Sequence, residues 1–276
     1  MSAETRTEFA ADTSVTPRQA RRTRGGSAFR GPVLAVVFGA VLVLAWKLIT
    51  LTGWFKAFVL PAPETVASRF VRAWSDGTMV PHTTTTLVEV LLGFAIGASV
   101  GLILGYALAR SRVVAQALSP YLVAAQATPI LALAPLIALW FGTGLLSKVV
   151  ICGLIVFFPV AISTMVGIRS VDGQLLELCR SLRATRVQVL TRVEIPAALP
   201  AIFGGLRVGV TLAVVGAVIG EWAGGDTGLG VLINLAKGSL FDTPLLFATL
   251  ATLALLGSAL YLAIVLVERR LVGVRA

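Results

Sequence analysis

Few side chains in this sequence could do chemistry, and their spacing decides which of them can. Ser99 lies in Gly97-Ala98-Ser99-Val100-Gly101, the G-x-S-x-G spacing that exposes a nucleophilic serine at a strand-to-helix turn. The single histidine, His82, lies 17 residues earlier, which along a helix is about 25 Å at about 1.5 Å per residue. The serine has no base within reach. Cys152 and Cys179 are the only cysteines, so the chain offers neither a disulfide framework nor a multi-His or multi-Cys metal site. Gly144-Leu145-Leu146-Ser147-Lys148 is the nearest run to a phosphate-cradling loop. It lacks the Gly-Lys-Ser/Thr ending, so the chain cannot hold ATP by itself. Glu89 and Glu221 fall near the ends of apolar stretches, where a carboxylate is costly unless paired, hydrated or functional. The expected sites are therefore neither catalytic nor metal-binding.

The surroundings of these residues explain the shortage. Of 276 residues, 57% are hydrophobic and 13% charged, against about 45–50% and about 25% in soluble domains. Too little polar sequence is present to cover a water-facing surface, so most of the chain must face lipid. A spanning helix needs about 20 mostly apolar residues. Segments near 33–52, 84–109, 120–141, 149–168, 204–223 and 245–267 qualify. The expected class is an all-α polytopic membrane protein with about six transmembrane helices.

The net charge is +10, and its placement reads as membrane orientation rather than nucleic-acid binding. If the N-terminus is cytoplasmic, the outer segments hold only Lys56, Arg69, Arg72, Lys148 and Lys237. Lys47 lies within the first span, and the remaining lysines and arginines fall inside. Both termini are expected in the cytoplasm. Residues 1–32 read as a disordered basic tail without apolar periodicity, and 271–276 as a short C-terminal tail. Residues 33–82 hold the first span and an outer segment, and 83–270 form the core.

Within the outer segment, Val66, Phe70 and Trp74 recur every four residues after Pro61 and Pro63. This predicts a short amphipathic helix in the interface, ended at Ser75-Asp76-Gly77. Gly93, Gly97, Gly101 and Gly105 put one bare face on the second span, where another helix can approach closely. Gly205, Gly209, Gly216 and Gly220 repeat the device on the fifth. Pro129 and Pro135 interrupt the third span beside Gln126 and Thr128, and Pro159 interrupts the fourth. Broken backbone at membrane depth is tolerated where it is buried or lines a cavity. Gln126, Thr128, Pro129 and Pro159 are therefore candidate pathway residues, with kinking for packing the competing reading, and Glu221 with Trp222 joins them because a carboxylate in a span is costly unless paired, hydrated or functional. For Glu221 and Trp222 the alternative is a polar and aromatic anchor at the interface. Interface placement is expected for Glu89, and an aromatic belt for Trp140 and Phe141.

Between the fourth and fifth spans, at 169–203, two short helices are expected. The first runs from about Gly173 to Arg183 with Asp172 as N-cap and an apolar stripe of Leu175, Leu178, Cys179 and Leu182. The second opens on Thr185 and Gln188 in capping-box spacing and ends before Pro196. A helix pair tethered at both ends to membrane spans is a mechanical handle for a partner.

The run Glu177-Leu178-Cys179-Arg180-Ser181-Leu182-Arg183, continuing to Ile195-Pro196-Ala197-Ala198-Leu199-Pro200, resembles the EAA loop of ABC-importer permeases. Leu178 and Cys179 replace the two alanines of that pattern, and Arg183 stands where a glycine is usual. The resemblance covers about 60–270. Leu60-Pro61-Ala62-Pro63, Glu221-Trp222 and Gly228-Leu229-Gly230 look like the nitrate, sulfonate and taurine branch. Ala127 to Pro135, Phe157-Phe158-Pro159 and Gly220-Glu221-Trp222 look closer to importers of pyrimidine thiamine precursors or riboflavin.

The resemblance implies a type I ABC-importer permease bundle in a bacterial inner membrane, forming the pathway for a small organic solute or oxyanion and not itself an enzyme. It implies a permease homodimer, ATP-binding-cassette ATPase subunits carrying the ATP and Mg, and an extracytoplasmic substrate-binding protein. This chain would bind no cofactor of its own and no nucleic acid. Glu177, Leu178, Cys179, Arg180, Leu182, Arg183, Pro196, Leu199 and Pro200 would form the ATPase-coupling surface. The alternative is a stand-alone secondary transporter or channel, which would bury charged or polar residues in several spans.

Overall fold

The computed structural model describes residues 30–273. Of the basic tail expected at 1–32, residues 1–29 lie outside the described residues, as do 274–276, and 30–32 open a helix. The chain divides into two units, Met1–Leu48 and Ile49–Ala276. The first contains most of helix α1 (Arg30–Leu51), an apolar helix long enough to cross a membrane.

The second unit begins with α2 (Pro63–Ser75) and α3 (Met79–Arg110). The α2 stripe does not simply lie in an interface. Val66 and Ala73 are buried, and Phe70 packs with Met79 on a core shared with residues of the two C-terminal helices. At the turn into α3, Asp76 accepts the Thr78 N–H at 2.9 Å. Hydrogen bonds from Thr78 hold the Asp76 carboxyl below the usual carboxylate range.

The expected third span is instead two helices, α4 (Arg112–Ala127) and α5 (Ile130–Phe141), bent by 96°. The reason is local. Thr128 is extended (φ −79°, ψ 122°), as a residue before proline prefers, and Pro129 has no N–H to rejoin the ladder. Pro120, Pro135 and Pro159 lie inside continuous helices, so neither Pro135 nor Pro159 interrupts its helix as expected. Of the two, α5 buries side chains in the bundle, with Ala134 and Ile137 against Ile151, and α4 buries none.

The centre of the unit is α6 (Leu145–Arg169), held between α3 and α9 (Ile195–Ala223). The four-residue glycine spacing explains how closely they approach. A Cβ on Gly97 would stand 2.9 Å from the Gly153 Cα, and one on Gly101 would stand 2.9 Å from the Phe157 carbonyl oxygen. On the other side of α6, a Cβ on Gly216 would stand 2.9 Å from the Cys152 Cα. Val90, Cys152, Val156, Ala213 and Ala217 fill the core between the three helices.

Between α6 and α9 lie α7 (Gly173–Ser181), α8 (Arg186–Val189) and a π-helical turn, Leu190–Glu194. The helix expected to stop before Pro196 does not stop. Residues Arg186–Ala223 form one continuous helical segment. Pro196 would remove the hydrogen bond to the carbonyl four residues earlier and crowd it. A wider π turn stands just before it, in which Ile195 N–H donates to Leu190 O, and the helix continues past the proline. The fold closes with α10 (Leu229–Lys237) and α11 (Thr243–Val272), where Asp242 caps α11 and accepts from Arg69 at 2.7 Å.

Candidate functional site

Two regions gather the candidate residues, one at each end of α6. Lys148 and Arg169 mark these ends. Their separation is about 31 Å at about 1.5 Å per residue.

At the Arg169 end, Asp172 accepts the Gln174 N–H at 2.9 Å and starts α7. Thr185 and Gln188 complete a reciprocal capping box on α8. The two helices are joined through Arg183, whose φ is +53°. Ala184 N–H reaches back to Cys179 O at 3.0 Å, closing the left-handed helix stop in which glycine is favoured. The arginine thus adopts the backbone conformation the usual glycine would supply, at a steric cost of about 1–2 kcal/mol.

Leu175, Leu178 and Leu182 are exposed on α7, Leu182 at 72%. Glu177, Arg180 and Arg183 are also exposed, while Cys179 is half-buried. Pro196 and Leu199 line a depression of about 500 Å³ together with Leu175 and Arg192; Pro200 is exposed. An apolar row of this kind on a short, capped helix is an interaction surface rather than a core. Two arginines act at this end, one joining α6 to α3 and one tying the π turn to α3. Arg169 donates to Leu108 O at 2.7 Å, and Arg110 pairs with the buried Glu194 of the π turn at 2.9 Å.

At the other end, ionisable side chains lie inside the bundle. Lys148, which the charge pattern places in an outer connection, belongs to the first turn of α6 and is buried. Its Nζ stands 2.9 Å from Glu89 Oε1, so Glu89 is an internal ion-pair member rather than an interface residue. Glu221 is 2% exposed and therefore not an interface anchor. One of its carboxylate oxygens accepts from Thr86 Oγ1 at 2.5 Å, and the other accepts from Gly230 N–H. Thr86 Oγ1 in turn accepts the Leu229 N–H at 2.8 Å. Glu221 and Thr86 thereby satisfy free N–H groups at the start of α10, where a negative charge is favoured. His82 Nδ1 is 2.8 Å from Gly228 O, and Trp222 Nε1 donates to Gly230 O at 3.0 Å.

The remaining pathway candidates do not join this cluster. Gln126, Thr128 and Pro129 are exposed at the α4–α5 elbow, with Thr128 Oγ1 donating to Ala124 O. Pro159 is half-buried in mid-α6, and its carbonyl faces Gly205. Ser99 donates to Ala95 O within its own helix. Sequence reasoning missed Thr86, Arg110 and Glu194 as partners. The available signal was opposite charge near equivalent ends of neighbouring helices.

Residues 97–273 match the family described as the binding-protein-dependent transport system inner membrane component. Over 257 residues the chain is 49% identical to the riboflavin transport system permease protein RibX of Chloroflexus aurantiacus, covering 92% of this chain and 95% of that one. It is 35% identical to the formylaminopyrimidine transport permease protein ThiX of Halalkalibacterium halodurans, over 80% and 87% of the two chains. The fold resembles that of an inward-facing MetNI methionine ABC transporter structure, with a TM-score of 0.63 at 20% identity, covering 70% of this chain and 95% of that one.

Proposed function

Because the chain belongs to the family of binding-protein-dependent inner-membrane transport components, we propose that it carries a neutral heterocyclic solute, of the riboflavin or formylaminopyrimidine type, across the membrane. It is a multi-pass permease subunit of an ABC importer and not itself an enzyme. The solute reading is supported by the 49% and 35% identity to permeases named for those compounds.

The α7 end faces the cytoplasm in this reading, as do both chain termini, and the α10 end faces the substrate-binding protein. Two copies form the pathway, with Gln126, Thr128 and Pro129 at the elbow and Pro159 deeper in the bundle. The ATPase partners hold ATP and Mg. Binding of ATP must favour one arrangement of the bundle for transport to be driven. The observation that carries this reading is the exposed row Leu175, Leu178 and Leu182 on a helix fixed at both ends. Force applied there reaches α6 through the three-residue link at 170–172 and α3 through Arg110 on Glu194. A stand-alone transporter would need buried ionisable groups, and Glu89, Lys148 and Glu221 are buried, but the family is that of components working with a binding protein.

The test is Glu177→Lys in vesicles holding the whole importer. The variant permease is expected to insert normally but to retain less ATPase and to lose substrate-stimulated ATP hydrolysis. Stimulated hydrolysis at the unmodified level would remove α7 from the coupling role.

A further inference from the structure

Arg110, Arg180 and Arg186 line one cavity of about 460 Å³ between the last turn of α3 and the α7–α8 turn. Leu176, Ala184 and Val189 form its other walls. Small-molecule sites run from about 300 to 1,000 Å³. Arg180 lies in the last turn of α7, and Arg186 is the first residue of α8. The left-handed Arg183 and the bond from Ala184 N–H to Cys179 O turn the chain between them.

The three guanidiniums are not equally engaged. Arg110 gives one N–H to the buried Glu194 at 2.9 Å, out of the five that a guanidinium carries. Arg180 and Arg186 make no ion pair and no side-chain hydrogen bond among the described residues. No acidic side chain among them lines the cavity. Counting Glu194 against Arg110 therefore leaves Arg180 and Arg186 uncompensated. A cleft lined by one sign of charge draws in the counter-ion.

The cavity and the docking row are different surfaces. Leu176 and Arg180 stand four residues apart on one face of α7, whereas Leu175, Leu178 and Leu182 form the exposed row on another. Arg110 also ends the apolar segment Met79–Arg110. The cavity thus lies where a span leaves the hydrocarbon and the headgroups begin.

We propose that Arg110, Arg180 and Arg186 bind a phosphate group, supplied by an anionic lipid headgroup or by free phosphate. Guanidiniums from three elements around one space suit a tetrahedral group with oxygens in several directions, whereas a planar carboxylate is met by a single fork. The bound phosphate ties α3 to the α7–α8 turn beside the Arg110–Glu194 pair. The site stands independently of the importer reading.

The experiment follows hydrogen exchange of the backbone amides of 176–189 in the full-length permease in nanodiscs. Discs of phosphatidylcholine alone are compared with the same discs in millimolar inorganic phosphate, matched in ionic strength with chloride. Discs of equal parts phosphatidylcholine and phosphatidylglycerol form the third arm. Exchange is expected to slow about fivefold, the protection given by a ligand at about four times its Kd. Slowing by phosphatidylglycerol names the lipid as the source, slowing by inorganic phosphate names the free ion, and either supports the site.

The slowing is expected to vanish in Arg180→Gln/Arg186→Gln. It should persist in Arg269→Gln/Arg270→Gln, which removes the same charge from the last turn of α11. Slowing by neither probe overturns the site. Slowing that survives the first double variant, or that both double variants lose equally, overturns it as well. If the first double variant does not insert, Arg186→Gln alone is judged by the same criterion. Protection that appears only when purified ATPase is added, and is lost in the same variant, assigns the cavity to an acidic side chain of that partner and overturns the phosphate site.

Discussion

Arg110 Nη1 lies 2.9 Å from Glu194 Oε1 and joins the last turn of α3 to the π turn that precedes α9. Glu194 is buried and Arg110 is 40% exposed, so the arginine is the solvated half of the pair. Arg110→Gln leaves a buried carboxylate without its cation. The expected cost is about 1–2 kcal/mol, below the about 3–5 kcal/mol of a fully buried pair because the arginine is partly screened. For a chain of this size that is a fall of about 2–8 °C in the unfolding midpoint, at about 2–4 °C per kcal/mol. Glu194→Gln removes the buried charge itself and should cost less. Thermal scans of both detergent-solubilised variants check the order, and equal losses would refute it.

Leu178 and Leu182 are exposed apolar side chains on α7 and its C-terminal stop. Fully burying a leucine contributes about 1.5–3 kcal/mol. If the ATPase covers this row, Leu182→Ala should weaken its association by about tenfold, the equivalent of about 1.4 kcal/mol. Titration of purified ATPase onto permease nanodiscs measures the shift. Unchanged affinity in both Leu178→Ala and Leu182→Ala would place the contact elsewhere.

The long-range order of the helices was legible because burying glycine faces and apolar runs leaves a period in the sequence. Gly93, Gly97, Gly101 and Gly105 announce a close helix contact on α3, though not that α6 makes it, and Asp172, Thr185 and Gln188 announce the caps. What stayed hidden depended on partners distant in sequence. Glu89 reads as an interface residue until Lys148, 59 positions later, is seen beside it. Glu221 reads as a surface or pathway acid until the α10 N-terminus folds back onto it. The π turn was invisible for another reason: two prolines normally stop a helix, and only the backbone shows that the helix continues past them.

Arg183 carries a left-handed backbone at φ +53°. A side chain there costs about 1–2 kcal/mol that glycine avoids, while glycine adds freedom to the unfolded chain worth about 0.4–1 kcal/mol. Arg183→Gly is therefore expected to be stabilising by up to about 1 kcal/mol, seen as a midpoint rise of up to about 4 °C. The turn itself should be unchanged. A fall in the midpoint would mean that the exposed guanidinium contributes a contact outweighing the backbone strain.

Gly97 and Gly204 are both helical glycines, but they differ in what surrounds them. A Cβ on Gly97 would stand 2.9 Å from the Gly153 Cα, and its α6 neighbours there include backbone that cannot rotate away. Nothing lies within 4 Å of the corresponding position on Gly204. Gly97→Ala should force α3 and α6 apart, at the about 1–3 kcal/mol typical of an overpacked core. Gly204→Ala gains helix propensity, worth about 0.8–1 kcal/mol, without meeting an obstacle. The two variants, identical in chemistry, are expected to move the melting midpoint in opposite directions. Size-exclusion profiles after a heat step, read on the same membranes, decide it. Equal behaviour of the two would show that the close approach of α3 to α6 is not what these glycines maintain.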